Sequence, residues 1–584
     1  MLRFLLKLGL NEQLLLSFVA VIIGLMVGYG TILFHTLIEL CQFLFMGSIS
    51  ENVGELVASL SWWWVLLMPV LGGLIVGPLV NFILPGSRGH GVPEVMVAAA
   101  MHDGKLELKD GLGKMLICSI SIGCGGSVGR EGPVIHLGAT LASWLGQKLQ
   151  LPARHLRTML GCGAAAGIAA SFNAPIAGVI FALEVILGDY GLATFSPIVL
   201  SSVTSTVVAR SYLGDFPAFI VPHHTLVSIW ELPVYVVLGL ICGITSIAFI
   251  YTLFKVEDWF GRIPLPRYLK PALGGAMVGA IAIFYPQVMG VGYDSINQAL
   301  LEDMAGWLMA ALVIAKIIAT AITLSSGFSG GVFTPSLFLG AMVGGAFGLF
   351  IHTLLPTLSS GPGAYTLVGM GAMAASVLGA PIASILMLFE LTGDYRIMLA
   401  LMVASIVASL LINQVYRDSI YTQALRRKNI DLRVSREESL LQQIAVRSIM
   451  RPAQDQTILE TVPLRTIINR FQQGQESHLL VVDGDKHLHG IIAFQDIHDV
   501  GDGLEDLVLA RDMAVQVNVT ITPSDHLYHA FRLMGNNQIG LLPVVSEDHP
   551  RRVVGILTNH DVIHAYNRVL TERDNHQQQT LPGR

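Results

Sequence analysis

Along the first 427 residues, uncharged apolar runs of bilayer length alternate with shorter runs broken by glycine and proline. Gln13–Ile38, Leu56–Ser87, Leu232–Phe254, Pro271–Tyr293 and Ile397–Tyr416 carry no Asp, Glu, Lys or Arg and are long enough to cross a bilayer as helices. The first is too long, and lacks the flanks and cleavage site, for a removable signal peptide. Four glycine-dense stretches, Gly86–Pro93, Gly123–Pro133, Gly161–Pro175 and Ser325–Pro335, each precede or open an apolar run that is too short or too interrupted for an ordinary spanning helix. After Arg427 the pattern changes to short helix-period and strand-like segments. The pattern predicts a mainly α, multi-pass membrane protein over 1–427, with re-entrant helices, followed by a soluble α/β part.

Charge sharpens that division. Only 13% of the residues are charged, about half the density of soluble domains. Of the 76 charged residues, 35 fall among the 157 after Arg427, about 22% of them, against about 10% before it. This excludes a secreted enzyme, and a net charge of -6 gives no reason to propose nucleic acid as a partner. Cys41, Cys118, Cys124, Cys162 and Cys242 stand in apolar surroundings without C-x-x-C spacing, and read as small core residues, not as a metal or disulfide framework.

The membrane part repeats itself. Lys114 to Pro133 can be laid over Lys316 to Pro335 without a gap, so that Ser127 meets Ser329 and Gly129 meets Gly331. Ala174-Pro175-Ile176-Ala177 returns as Ala380-Pro381-Ile382-Ala383, and a glutamate stands nine residues after each proline, Glu184 and Glu390. Two related halves are read, about 40–225 and 230–420. Such repeats commonly place a substrate at their interface near the bilayer midplane; parallel and inverted arrangements both fit the sequence.

The glycine-dense stretches suit an anion. Irregular backbone survives at membrane depth only where protein buries it or a watery cavity receives it. Glycine permits close approach, and a proline near the first turn marks a helix start, where unpaired N–H groups and the positive end of the dipole lie. Several such starts converging would hold an anion without a full countercharge. Lys114 and Lys316 would raise the local potential from a distance, unless they snorkel to an interface. Glu131, at a helix start in Gly129-Arg130-Glu131-Gly132-Pro133, is an ionisable group inside an apolar region, and such groups are functional by default. Charged, it could occupy the anion's place, and protonated, it could leave, which makes it a candidate gate and proton carrier.

These residues resemble the CLC family of chloride channels and chloride/proton exchangers, over about 15–425. Gly89-His90-Gly91-Val92-Pro93-Glu94 resembles its first anion-binding motif. Gly129-Arg130-Glu131-Gly132-Pro133 matches the second unchanged. Gly330-Gly331-Val332-Phe333-Thr334-Pro335 resembles the third, and Ser419-Ile420-Tyr421 the segment that carries a pore tyrosine. The resemblance implies a homodimer with one pore per subunit and an inverted repeat in each. It implies a chloride site at His90, Gly129, Glu131, Val332, Phe333 and Tyr421, with Tyr416 as the alternative to Tyr421, and Lys114, Arg130 and Lys316 as supporting charge.

Two departures bear on mechanism. His90 stands where many members have a serine; an imidazole also donates an N–H, and its charge changes near neutral pH. Ser87 would replace the hydroxyl only in a rearranged loop. Exchangers of the family usually carry a second glutamate directly after the position of Glu184, where this chain has Val185. The expectation is therefore a passive, voltage-gated-type chloride channel, with a chloride/proton antiporter as the alternative.

Arg426-Arg427-Lys428, with Arg3 and Lys7, places both termini in the cytoplasm by the positive-inside rule, and the pore in the cell (inner) membrane. The tail resembles a tandem pair of CBS domains, read as 443–503 and 508–570, with a polar, disordered end over 571–584. The resemblance implies an adenine nucleotide, with aspartate at the ribose and Ser/Thr near phosphate. Thr558 and Asp561 fit the second domain, whereas Ala493 lacks the hydroxyl beside Asp496, so at most one nucleotide site is expected. The alternative is a tail that only steadies the dimer. A CBS-regulated divalent-cation channel is the remote alternative, but it would need carboxylates and waters around the ion. Neither a nucleophile–base pair nor a Walker-type loop argues for an enzyme.

Overall fold

Among the described residues, eighteen α-helices build the N-terminal part of the computed structural model. The structure describes residues 12–49, 52–83, 85, 91–214, 219, 228–357, 359–393, 395–416, 419–430, 432, 441, 444–473, 478–499, 506–517, 519–537, 539–565 and 567–568. The first half holds α1 (Glu12–Met46), α2 (Val53–Ser59), α3 (Trp62–Pro78), α4 (Val92–Met101), α5 (Leu108–Gly123), α6 (Glu131–Lys148), α7 (Ala153–Phe172), α8 (Pro175–Phe181) and α9 (Leu192–Leu213). The second holds α10 (Leu232–Arg262), α11 (Lys270–Phe284), α12 (Tyr293–Leu300), α13 (Gly306–Ser326), α14 (Phe333–Leu354), α15 (Pro362–Leu378), α16 (Pro381–Thr392), α17 (Met398–Val415) and α18 (Ile420–Arg426). Among the described residues, seven helical runs are long and apolar enough to cross a bilayer.

The apolar runs did not all become single spans. Leu56–Ser87 is divided by a break at Leu60–Ser61 between α2 and α3, and Pro271–Tyr293 yields only the 15 residues of α11. Gly161–Pro175, expected as irregular backbone, is helical through Phe172. Its small residues serve packing instead: Gly163 of α7 faces Gly138 of α6, and a Cβ on either would collide with the other's carbonyl oxygen. A run of glycine and alanine reads alike as loop or as tight helix contact until its neighbour is known.

The two halves meet through equivalent residues. Gly129 N–H donates to Gly331 O at 2.9 Å and Gly331 N–H to Gly129 O at 2.7 Å, an antiparallel bridge between the two copies of one loop. Ser127 N–H donates to Thr323 Oγ1 at 3.3 Å, and its counterpart Ser329 N–H donates to Ser121 Oγ at 3.3 Å. Glu390 accepts from the N–H groups of Ile176 and Ala177 at the start of α8, at 2.9 and 2.7 Å. Glu184 accepts from those of Ile382 and Ala383 at the start of α16, at 3.3 and 2.8 Å. Each half thus supplies the carboxylate that caps a helix of the other, and this reciprocity requires a local two-fold axis through the Gly129/Gly331 bridge.

Arg433–Arg584 forms a separate unit. Strands β1 (Arg451–Pro452), β2 (Thr457–Leu459), β3 (His478–Val482), β4 (Leu488–Ala493), β5 (Leu541–Val545) and β6 (Val553–Thr558) make two three-stranded sheets, ordered β1-β6-β5 and β2-β3-β4. Helices α19 (Leu464–Gln473), α20 (Ala510–Met513) and α21 (Leu527–Asn537) also belong to the unit. The lead-in segments are exchanged: β1 pairs with β6, and Val446 N–H donates to Asp525 O, so the opening of the first repeat sits in the second sheet. Conversely, Val515 pairs with Ile491 of the first. The 571–584 tail lies outside the described residues.

Candidate functional site

Four helix starts gather where the halves meet. α6 opens at Glu131 and α14 at Phe333, directly after the bridged glycines. α4 opens after Gly91, and α18, whose N-cap Ser419 accepts from Thr422 N–H at 3.3 Å, packs against α4 and α15. Helix starts leave their first N–H groups without intrahelical partners and carry the positive end of the dipole. Gly91 has φ +88°, and a Cβ there would stand 2.7 Å from Gly132 O, so only glycine lets this turn lie against the start of α6.

Glu131 is 1% exposed, and its side chain crosses the repeat interface. Its carboxylate accepts from Thr334 Oγ1 and, at 3.4 Å, from Thr334 N–H, in the first turn of α14. A negative group from the first half therefore sits on the positive helix start of the second. Val332 caps α14 and Phe333 is its first residue, with the Phe333 ring 5.1 Å from that of Phe172. Tyr421 is buried in the first turn of α18, whereas Tyr416 lies at the end of α17, half-buried. His90 and Ser87 lie outside the described residues.

The structure adds contacts around two of the residues named from the sequence. The Gly129 N–H is engaged by Gly331 O. Lys114, a supporting charge by the sequence, has a partner close by. It is fully buried, and its Nζ stands 3.2 Å from Glu94 Oε2, which also accepts from Gly91 N–H at 2.9 Å. An ion pair this close cancels most of its own distant field, so Lys114 and Glu94 together fix the start of α4. Lys316 is equally buried but differently held: its Nζ donates to Val288 O at 2.9 Å and Gly290 O at 3.1 Å, and lies 4.8 Å over the Phe338 ring. Among the described residues its charge makes no carboxylate contact of that kind, and Asp294, which acts on it electrostatically, accepts from Gly54 N–H at 2.7 Å. Arg130 donates to Ser171 O at 3.2 Å and stacks on Tyr293.

Glu94, Thr334, Glu184 and Glu390 were not singled out as site residues. Glu94 stands three residues after Gly91, the capping-box spacing, so the signal was present. Thr334 was visible only as one letter of a motif, and the capping roles of Glu184 and Glu390 needed the fold.

In the C-terminal unit, Asp561 Oδ2 accepts from Thr558 N–H at 3.1 Å and Thr558 Oγ1 at 2.6 Å, while Oδ1 accepts from Arg451 Nε at 2.8 Å. Asp496 Oδ2 accepts from Ala493 N–H at 2.9 Å. The two aspartates thus repeat one turn geometry, with the hydroxyl and arginine added only in the second.

The family model for voltage gated chloride channels matches residues 72–413, and that for CBS domains matches 446–502 and 510–568. A ClcB-like chloride channel protein of Ralstonia nicotianae is 36% identical over 417 residues, covering 71% of this chain and 97% of its own length. A slow cyanobacterial Cl-/H+ antiporter of known structure is 26% identical with a TM-score of 0.65, over 72% of this chain and 98% of its own. A eukaryotic CLC transporter shares the fold across 94% of this chain and 99% of its own, at 19% identity and a TM-score of 0.63. The chain belongs to the voltage gated chloride channel family, the CLC proteins, and carries a C-terminal pair of CBS domains.

Proposed function

We propose that the protein moves chloride across the cell membrane past the four helix starts, and that Glu131 gates the path. One observation carries the reading: the Glu131 carboxylate rests on the start of α14, on Thr334 N–H and Oγ1, where an anion in transit would seek the same donors. A carboxylate and a chloride compete for one positive locus, so displacement or protonation of Glu131 opens it. Holding chloride by peptide dipoles keeps binding weak enough for release.

Channel conduction is the leading mode. Val185 is buried and carries only carbon, beside the carboxylate of Glu184 that is committed to α16. The second reading, chloride/proton exchange, is favoured by the likeness to the Cl-/H+ antiporter. In liposomes, an outward chloride gradient should drive no uphill proton movement, and Glu131→Gln should raise chloride efflux and flatten its pH dependence. Stoichiometric proton uptake overturns the channel mode. Unchanged efflux and pH response in Glu131→Gln overturn the gate.

The basic residues Arg262, Arg267, Lys270, Arg426 and Arg427, at the end of α10, the start of α11 and the end of α18, support a cytoplasmic placement of that face and of the CBS pair. Exposed Ile176 and Ile382, at the capped starts of α8 and α16, support a homodimer across that surface. An adenine nucleotide at Thr558 and Asp561 would have its ribose replace Arg451 at Asp561 Oδ1, with no comparable hydroxyl beside Asp496.

A further inference from the structure

A cavity of about 360 Å³ lies between the ends of α3, α10 and α13 and the start of α11. Its mouth carries the exposed Arg267 and the half-buried Lys270, and its floor is formed by buried Leu253, Phe260, Ser326 and Ser329. Glu257 also stands at the mouth, 4.0 Å from Arg427, so its charge is already opposed.

Among the described residues of the lining, Ser329 brings a buried polar group that the fold itself does not satisfy. Ser329 is 4% exposed and its Oγ has no hydrogen-bond partner. Its counterpart in the first half, Ser127, has its hydroxyl 3.2 Å from Thr320 Oγ1, while the residue equivalent to Thr320 is Cys118, a poor partner. Ser325 and Ser326, by contrast, donate to Leu253 O and Thr323 O. A buried hydroxyl without a partner is rare in a folded protein and calls for an acceptor.

The surroundings say what brings that acceptor. Phe82 and Tyr268, both exposed, place their rings 5.8 Å apart beside the mouth, and Trp259 is exposed on the last turns of α10. Aromatic and basic side chains together mark a bilayer–water boundary. Basic pockets between membrane helices on that side accept anionic headgroups. We propose that this cavity binds an anionic phospholipid. Arg267 and Lys270 take the phosphate, the serine floor takes glycerol or headgroup oxygens, and Val80, Leu253 and Phe260 line the first part of an acyl chain. Ser329 stands two residues before Gly331, half of the bridge that positions Val332 and Phe333. Occupancy therefore biases the loop that holds α14 against Glu131. The site goes beyond the transport reading, and its binding readout does not depend on transport.

Native mass spectrometry of the full chain, purified with phosphatidylglycerol, should show retained lipid. Arg267→Gln with Lys270→Gln should weaken retention by about 30-fold, the worth of two basic residues at a membrane surface. Arg267→Glu alone, on an exposed loop, should weaken it without disturbing the fold. Chloride efflux from vesicles of phosphatidylcholine should change on adding phosphatidylglycerol for the wild type, and change less for the double variant. Equal retention by wild type and both variants overturns the site. Inorganic phosphate reproducing the phosphatidylglycerol effect in pure phosphatidylcholine vesicles overturns the lipid as its occupant.

Discussion

The two halves of the membrane unit agree where they build and differ where they act. Glu184 and Glu390 cap each other's helices through the same pair of N–H groups, and Gly129 and Gly331 exchange identical bonds. At the next positions the symmetry is broken: Arg130-Glu131-Gly132 faces Val332-Phe333-Thr334. The first half offers a carboxylate and the second offers the donors that receive it. The lysines follow the same division, Lys114 in an ion pair and Lys316 on carbonyls and an aromatic face. A duplicated scaffold supplies two facing helix starts, and the residues that differ put a carboxylate on one and its donors on the other.

The lysines give the largest test of that contrast. Lys114→Met leaves the Glu94 carboxylate without its countercharge and should lower stability by about 3–5 kcal/mol. Lys316→Met strands two neutral carbonyls and removes a charge that only faces Asp294 without an ion-pair contact, and should cost less, about 1–3 kcal/mol. Thermal unfolding of the detergent-solubilised chain checks the order, and equal losses would remove the asymmetry. Next come the caps: Glu184→Gln and Glu390→Gln should each cost about 1–2 kcal/mol, and about equally, since each weakens two charge-assisted hydrogen bonds at a helix start. A loss confined to one would break the two-fold reading. Thr334→Val removes the hydroxyl that holds Glu131 and should raise chloride efflux by about tenfold or more, the worth of one hydrogen bond to a charged group. Efflux at the wild-type rate would detach Thr334 from the gate.

The smallest effect lies in the C-terminal unit. Burial holds the His478 imidazole below its usual range, partly offset by Asp496. The folded state therefore binds fewer protons than the unfolded one, and stability there is full above the ordinary histidine value and declines as pH falls through it. The protection factors of β3 amides in the full chain, corrected for the intrinsic exchange rate at each pH, should fall between neutral and mildly acidic pH, and His478→Gln should remove that change.

Much of this was legible in the chain. Glycine and proline at Gly129–Pro133 and Gly330–Pro335 announce helix starts because few other residues fit there. The gapless repeat identified which residues would be equivalent. What escaped depended on partners distant in sequence. Glu94 neutralises Lys114 across 20 positions, Arg451 reaches Asp561 across 110, and nothing local tells the helical Gly161–Phe172 from a loop. The exchanged lead-ins of the CBS pair escaped for the same reason, since an edge strand does not encode which sheet it completes.

The glycine bridge also constrains movement. A carrier that rocked one half against the other would have to part Gly129 from Gly331, Ser127 from Thr323, Ser329 from Ser121 and both glutamate caps together. Latched at so many mirrored points, the halves could part only by breaking all of these contacts at once, so rocking one against the other is the costliest movement open to this frame.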